Sequence, residues 1–205
     1  MRVGVLVSGA GTNLKALLDA CAEPDFPAQI VVVGCNRAEA PAISRANAAG
    51  VPVCVADRAA IRNRSERQRR LLEALKLAAA ELVVLAGFDE VLLPEFVAAY
   101  RGRLLNTHPS LLPSFAGTLH AVDQALEHGV KLSGCTVHLV TDDLDNGPIL
   151  LQRSVEVRDD DDRASLHARI LEQEHRLLPE AVRAFAEGRV RIEGRRTRVL
   201  ASNKK

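Results

Sequence analysis

The sequence predicts an α/β protein with an open, mostly parallel sheet, helices on both faces and antiparallel strands added in the C-terminal part. In the first half, short apolar runs alternate with amphipathic segments, as in buried parallel strands joined by helices. A Gly-rich turn follows the first apolar run directly. Beyond about residue 130, two segments alternate between apolar and polar residues, which is typical of antiparallel strands.

The first predicted unit is a strand over Arg2–Ser8, a turn, and a helix marked by Leu14, Leu17 and Leu18. The turn is Ser8-Gly-Ala-Gly-Thr-Asn, and Thr12 or Asn13 is the expected helix cap. Free N–H groups at a helix start after a Gly-rich turn favour a bound anion such as phosphate. The alternative is a tight strand-to-helix turn without a ligand, because neither a Walker A nor a G-x-G-x-x-G motif is present.

Ligands of parallel sheets bind beyond the carboxyl ends of the strands. Gly9, Phe88 and Asn106 follow or end predicted strands, so we expect them to share one crevice. The other strands of the first half are predicted at Gln29–Asn36, Val51–Ala56, Glu81–Gly87 and Arg103–Asn106, and its other helices at Pro41–Ala49, Ser65–Ala80 and Pro94–Tyr100.

The second half contains four consecutive aspartates, Asp159–Asp162, which could form an acidic binding tract. We favour a solvated turn that caps the following helix, because negative charge stabilises a helix N-terminus. That helix is predicted over Arg163–Ala186, with a kink at Pro179. The other predicted elements are a helix at Leu119–His128, strands at Lys131–Val140 and Pro148–Val157, and a frayed basic tail at Arg195–Lys205.

Composition excludes several classes of protein. The chain has 205 residues, 47% hydrophobic and 3% aromatic, which suits one domain with an aliphatic core. A formal net charge of +1 provides no overall attraction to nucleic acid or a membrane surface. No signal peptide or membrane-spanning run is apparent, so we expect a cytoplasmic protein. The four cysteines, Cys21, Cys35, Cys54 and Cys135, lack a C-x-x-C pair and are expected to be reduced thiols.

The segment after the fifth strand places Asn106 and His108 two residues apart, so in an extended chain both side chains point to one side. Pro109 disfavours helical geometry at His108. A neutral donor beside a titratable group suits proton transfer with stabilisation of an oxyanion. The alternative is a structural His and Asn in a Pro-rich turn.

Three motifs together resemble the glycinamide ribonucleotide formyltransferase family of folate-dependent purine enzymes. They are S-G-x-G-T-N at 8–13, N-x-H-P-S-L-L-P at 106–113 and L-D-N-G-P-I at 144–149. The resemblance extends to about Gly188 and implies a Rossmann-like formyltransferase domain. Within one domain over 1–205, residues 1–107 would form a nucleotide-binding half, 108–188 a folate and catalytic half, and 189–205 C-terminal strands and a tail.

The resemblance also implies a role for each matching residue. Asn106, His108 and Asp145 would be catalytic, and 10-formyltetrahydrofolate would be the cosubstrate, without a metal. Gly11, Thr12 and Asn13 would bind the substrate phosphate, and Glu174 the ribose hydroxyls. The residues expected at the folate are Arg64, Asp89, Glu90, Val91, Leu92, Asn106, Thr141, Asp142, Asp143, Leu144 and Asp145.

Formyl transfer to an amine requires an oxyanion to be stabilised and protons to be moved. Asn106 can donate to the oxyanion, His108 can donate a hydrogen bond or proton, and Asp145 can orient His108 and accept a proton. His138 and His120 are alternative bases, although His138 lies on a predicted strand and is expected to be structural. No Cys or Ser in the motifs suggests a covalent intermediate, so direct transfer is favoured.

The chain departs from the family pattern at several positions. Asp89-Glu90 replaces a common Met-Arg, Arg67 an aromatic residue, and Asp123 an Arg, and the segment Ala116–His120 has one extra residue. Two carboxylates at 89 and 90 should repel the anionic folate tail, unless Arg64 or Arg67 compensates.

The predicted function is formyl transfer from 10-formyltetrahydrofolate to the amine of glycinamide ribonucleotide in purine biosynthesis, by a monomer or homodimer. One alternative is a related formyltransferase, or a formyltetrahydrofolate hydrolase, with another acceptor. Another is a catalytically silent nucleotide- or folate-binding protein.

Overall fold

A computed structural model describes residues 1–201, which form nine strands and six helices. The strands are β1 Arg2–Val7, β2 Gln29–Cys35, β3 Val53–Val55, β4 Leu82–Leu85, β5 Leu104–His108, β6 Leu132–Leu139, β7 Ile149–Glu156, β8 Val190–Glu193 and β9 Arg196–Val199. The helices are α1 Thr12–Ala22, α2 Pro41–Ala48, α3 Arg64–Leu77, α4 Pro94–Ala99, α5 Ala121–Glu127 and α6 Arg163–Ala186. The chain divides into two compact units, Met1–Asn106 and the residues from Thr107 onward.

The first unit is built on parallel strands in the order β3-β2-β1-β4-β5. Val5 on β1 pairs with Val33 on β2 and with Val84 on β4. All residues of β4 and all but the first of β1 are buried, as expected for a sheet covered by helices. The predicted parallel α/β pattern is therefore confirmed.

Helix α3 packs closely on this sheet, through a face that includes Leu71 and Leu75. A Cβ atom placed on Gly4 of β1 would lie 2.1 Å from Leu75 Cδ2. Glycine at this position therefore lets the helix approach the strand. The contact matters for function because the first turns of α3 also hold the loop after β4.

In the second unit, β6 and β7 pair antiparallel, with Thr136 opposite Gln152. Helix α6 begins with a capping box between Asp162 and Ser165, and Arg169 bonds the Asp161 carboxylate. The acidic segment is thus the predicted helix cap, and the helix has its predicted bounds. It continues as one element through Pro179.

Several predicted boundaries shift by one to three residues, and two differences affect the site. Strand β5 continues to His108, two residues beyond its predicted end. The fraying expected in the tail is wrong for Arg196–Val199, which forms β9 and pairs with β8. The last four residues of that predicted tail, 202–205, lie outside the described part of the chain. Among the described residues, no helix has the length and apolar character needed to cross a membrane.

Candidate active site

The turn after β1 places a left-handed residue, Gly11, at the start of α1. Its φ of 72° is readily adopted by glycine, and it is the N-cap residue, without a side-chain capping bond. The prediction of Thr12 or Asn13 as the cap is therefore wrong, because the tight turn starts the helix one residue earlier. Helix α2 holds this turn: Ala42 N–H donates to Gly9 O at 3.2 Å, and Arg45 Nε donates to Ala10 O at 2.9 Å.

The carboxyl ends of three strands in the first unit lie along one sheet edge. Ser8 N–H donates to Gly87 O at 3.0 Å, and the Ser8 hydroxyl accepts from Asp89 N–H at 2.9 Å. Asn106 on β5 is paired in register with Leu85 on β4. The structure thus places the turn after β1, the loop after β4 and Asn106 at neighbouring strand ends, as predicted.

The Asp89 carboxylate is paired with cations of its own unit. Arg37 donates to Asp89 Oδ2, Arg58 lies 3.3 Å from the same oxygen, and Asn36 donates to Oδ1 at 3.1 Å. Burial alone would raise the pKa of Asp89, but bonds with Ser8, Asn36 and Arg37 outweigh it and lower the pKa below its ordinary value. Asp89 is therefore ionised, and its negative charge is balanced by the positive charges of Arg37 and Arg58.

Glu90 is likewise neutralised, by Arg67. Arg67 Nη2 lies 2.7 Å from Glu90 Oε2, and the two side chains are only 9% and 11% exposed. Arg67 thus compensates Glu90, as the sequence allowed, and the expected repulsion of the folate loses its basis because neither carboxylate presents an unpaired negative charge. Of the other residues expected at the folate, Arg64 and Val91 are exposed and Leu92 is partly buried.

The central pair of the second unit is His108, at the end of β5, and Asp145, in the loop between β6 and β7. His108 Nδ1 lies 3.4 Å from Asp145 Oδ2, and both side chains are buried. Asn106 lies two residues before His108 on the same strand, so strand geometry directs both side chains to one side. The structure thus brings two of the three predicted catalytic residues into direct contact.

The other nitrogen of His108 faces a backbone oxygen. Nε2 lies 2.8 Å from Phe115 O. A carbonyl only accepts, so this bond places a hydrogen on Nε2 and leaves Nδ1 as the nitrogen that gains or loses a proton beside Asp145. The carboxylate can therefore orient the ring and stabilise its protonated form.

His138 contacts the same carboxylate, which sequence reasoning did not anticipate. Its Nε2 lies 3.5 Å from Asp145 Oδ1, while its Nδ1 bonds Leu139 O at 3.0 Å. Asp145 is thus flanked by two buried imidazoles, from β5 and β6. The available sequence signal was a single His among the apolar residues of β6, which is also typical of a structural histidine.

Burial and charge act in opposite directions on this cluster. Burial lowers the pKa of His108, and the Asp145 charge and the Phe115 carbonyl partly oppose this shift. Burial alone would raise the pKa of Asp145, but His138, His108 and the Gly117 N–H together lower it below its ordinary value. Asp145 is therefore an ionised carboxylate at neutral pH, and it can accept a hydrogen bond from His108 Nδ1 when the ring is protonated.

The loops that carry the pair are tied to the rest of the second unit. Asp145 has a φ of 50°, and its Oδ2 accepts from Gly117 N–H at 2.9 Å. Next to it, Asn146 O accepts from Arg195 at 2.9 Å, so the turn between β8 and β9 supports this loop. In the same loop, Thr141 donates to Asp143 O at 3.2 Å.

The Pro-rich segment after His108 is held by β6. Thr136 Oγ1 donates to Ser110 O at 2.7 Å and accepts from Leu112 N–H at 3.0 Å. Gln152 of β7 bonds both Thr136 Oγ1 and Leu112 O at 2.9 Å. A buried polar network of this kind fixes the loop path and hence the orientation of His108.

Glu174 lies buried on α6, at 4% exposure.

The four cysteines are free; Cys35 and Cys135 are buried, and burial raises the pKa of the Cys135 thiol to about 12. Such thiols are poor nucleophiles at neutral pH. Residues 1–201 contain no group of three His, Cys, Asp or Glu side chains arranged to hold a metal ion.

A parallel α/β unit with a Gly-rich first turn, and a buried His–Asp pair after the N-x-H-P motif, define the class of protein. The formyl transferase family matches residues 1–182, so the chain belongs to this family. More particularly, it is 46% identical to phosphoribosylglycinamide formyltransferase of Mycobacterium tuberculosis (strain ATCC 25618 / H37Rv), covering 95% of this chain and 89% of the relative.

Solved structures agree with this relationship. Glycinamide ribonucleotide transformylase 1 from Symbiobacterium toebii has a TM-score of 0.94 and 49% identity, over 98% of this chain and 94% of that chain. A formyltetrahydrofolate deformylase from Pseudomonas syringae has a TM-score of 0.90 but 27% identity, over 98% of this chain and 66% of that chain. The chain also matches the human trifunctional purine biosynthetic protein adenosine-3 at 42% identity over 93% of its own length, but spans only 19% of that relative.

Proposed function

We propose that this protein transfers the formyl group of 10-formyltetrahydrofolate to the amine of glycinamide ribonucleotide in purine biosynthesis. The observation that carries the proposal is the buried contact between His108 and Asp145, two residues after Asn106 on β5. The similarity to phosphoribosylglycinamide formyltransferases supports the choice of substrates.

In the proposed reaction, the substrate amine attacks the formyl carbon and a tetrahedral oxyanion forms. The Asn106 amide donates a hydrogen bond to this oxyanion, and the His108 ring, whose two nitrogens face Phe115 O and Asp145, stabilises the negative charge when it is protonated. Asp145 holds His108 in orientation and, through water, accepts the proton that the amine loses. Collapse breaks the bond to the folate nitrogen, which takes up the proton returned from Asp145 through water, so that tetrahydrofolate and the formylated amine are the products.

We assign phosphate binding to Gly11, Thr12 and Asn13. The N-cap position of Gly11 leaves the first N–H groups of an 11-residue helix without a side-chain cap, which suits an anion. The ribose hydroxyls are assigned to the Glu174 carboxylate.

Folate binding is assigned to two loops and one helix start. They are residues 89–92 after β4, Thr141–Asp145 after β6, and Arg64 at the start of α3. Asn106 contributes beside the formyl group. A cytoplasmic location and a monomeric or homodimeric state complete the proposal.

The second candidate is hydrolysis of 10-formyltetrahydrofolate, which the similarity to the deformylase structure favours. One assay separates the two: incubate the protein with 10-formyltetrahydrofolate, with and without glycinamide ribonucleotide, and follow release of tetrahydrofolate. Transfer requires the amine and yields formylated ribonucleotide in equal amount. Release at the same rate without the amine would support hydrolysis, and no release under either condition would indicate a binding protein.

A further inference from the structure

Two departures from the family pattern, Arg67 and Glu90, are the two halves of one buried ion pair. Glu90 Oε2 accepts from Arg67 Nε at 3.1 Å and from Nη2 at 2.7 Å, a two-point contact on one carboxylate oxygen. The third guanidinium nitrogen, Nη1, donates to Ile61 O at 2.6 Å and to Arg62 O at 2.8 Å. Arg67 therefore connects the loop before α3 with the loop after β4.

Gln68, the next residue on α3, holds the same loop and is 2% exposed. Its Nε2 donates to Glu90 Oε1 and to Val91 O, both at 2.9 Å, and its Oε1 accepts from Leu93 N–H at 2.8 Å. Both oxygens of Glu90 and two backbone groups of residues 91–93 are thus bonded by α3. These contacts come from a helix that is itself packed on the sheet through Leu71 and Leu75.

The pair has little charge left for a ligand. Both side chains are about nine-tenths buried, and their charges cancel. A direct role in attracting or repelling the folate tail is therefore disfavoured. Fixing a loop in its binding geometry instead improves affinity by lowering the cost of ordering it when the ligand binds.

We infer that Arg67, Gln68 and Glu90 form a clamp that positions the 88–93 loop for the part of the folate other than its glutamate tail, and that Glu90 is a positioning residue rather than a contact for the anionic tail. This inference rests on the proposed function, because it takes residues 89–92 to bind folate. The inference explains why an acidic residue is compatible with position 90, because the Glu90 carboxylate is paired with Arg67.

The test compares two folate ligands that differ only in the tail. Tetrahydrofolate carries the glutamate tail and tetrahydropteroate lacks it, and their Kd values are measured by calorimetry for the wild type and Glu90→Gln. Ordering a flexible side chain on binding lowers affinity by up to about 10-fold, so we expect both Kd values to rise by about 3-fold to 10-fold. The loss should be equal for both ligands and unchanged by salt, with the Kd of glycinamide ribonucleotide retained.

Two further variants complete the test. Gln68→Met removes the bonds to residues 90–93 without leaving an unpaired buried charge, so it decides the question if Glu90→Gln does not fold. The matched control is Glu73→Gln, which breaks an exposed ion pair with Arg69 on the same helix and should leave both folate affinities unchanged. Thermal unfolding identifies any variant that has lost its fold.

The possible results distinguish an error in this inference from an error in the proposed function on which it rests. If the wild type transfers formyl groups but Gln68→Met and Glu90→Gln bind both folates normally, the inferred positioning role is wrong. It is also wrong if the change is confined to tetrahydrofolate and shrinks with added salt, because this pattern indicates a charge effect on the tail. Failure of the wild type to bind folate or transfer formyl groups would instead overturn the proposed function.

Discussion

Asp145→Asn is the most informative single substitution, because it keeps the size of the side chain and removes its charge. The amide oxygen can still accept from Gly117 N–H, so the loop retains that contact. The substitution removes the carboxylate that lies 3.4 Å from His108 and 3.5 Å from His138. We therefore expect the fold to persist and catalysis to fail.

The magnitude follows from two separate losses. A hydrogen bond to a charged group contributes about 1.5–3 kcal/mol, and each ~1.4 kcal/mol of barrier corresponds to a tenfold change in rate. Poorer orientation of His108 thus costs roughly 10-fold to 100-fold. Loss of a proton acceptor removes a further contribution of about 10²–10⁴-fold. The two losses multiply, so we expect kcat to fall by at least about 10³-fold, with little change in the KM of the ribonucleotide.

The pH profile provides a second readout. The Asp145 charge raises the pKa of His108 against the effect of burial, so its removal lowers that pKa further. If kcat falls as pH rises because His108 loses its proton, that fall should occur at a lower pH in Asp145→Asn than in the wild type.

The assay is steady-state release of tetrahydrofolate between pH 6 and 9, chosen as a range of about three units around neutrality where histidine titrates. Asp159→Asn is the matched control, because it removes a carboxylate that is 94% exposed and pairs with the exposed Lys131. Near-normal kcat with an unshifted profile in Asp145→Asn would refute the assigned role and make His138 the next base to test.

Four further predictions concern other residues of the proposed site. Asn106→Ala should lower kcat by about 10²–10³-fold, as expected for a lost oxyanion donor, and normal turnover would exclude that role. Gly9→Val should raise the KM of the ribonucleotide selectively, because a Cβ there meets open space; an equal rise for folate would argue against phosphate binding. Gly11→Val should instead lower the melting temperature, because of its φ of 72° and a close neighbour, and an unchanged value would contradict the described turn. Arg195→Ala should raise the KM of folate several-fold by freeing Asn146, and an unchanged KM would show that the loop needs no such support.

Much of the fold follows from sequence patterns that have one physical explanation. Continuous apolar runs such as Leu82–Leu85 are buried strands, and the aspartates before Arg163 cap α6. These features are predictable because burial and capping depend on residues close together in the chain. The C-terminal strands were expected only from the family resemblance, and residue patterns alone predicted a frayed tail from Arg195, because these strands are short, polar and largely exposed.

The candidate site was only partly predictable. The contact between His108 and Asp145 followed from motifs, whereas the approach of His138 depends on the register of β6 and the return path of the following loop. The partners of Asp89 and Glu90 also come from distant segments, at Arg37, Arg58 and Arg67. The sequence offered Arg67 as a possible partner for these carboxylates, but it did not indicate that Arg37 and Arg58 pair with Asp89.

The central claim is amine-dependent formyl transfer, and one measurement tests it most directly. Purified protein is incubated with 10-formyltetrahydrofolate and glycinamide ribonucleotide, and both tetrahydrofolate and formylated ribonucleotide are quantified over time. The account predicts equal amounts of the two products and negligible tetrahydrofolate when the ribonucleotide is omitted. Tetrahydrofolate formed without formylated ribonucleotide, or no product at all, would contradict it.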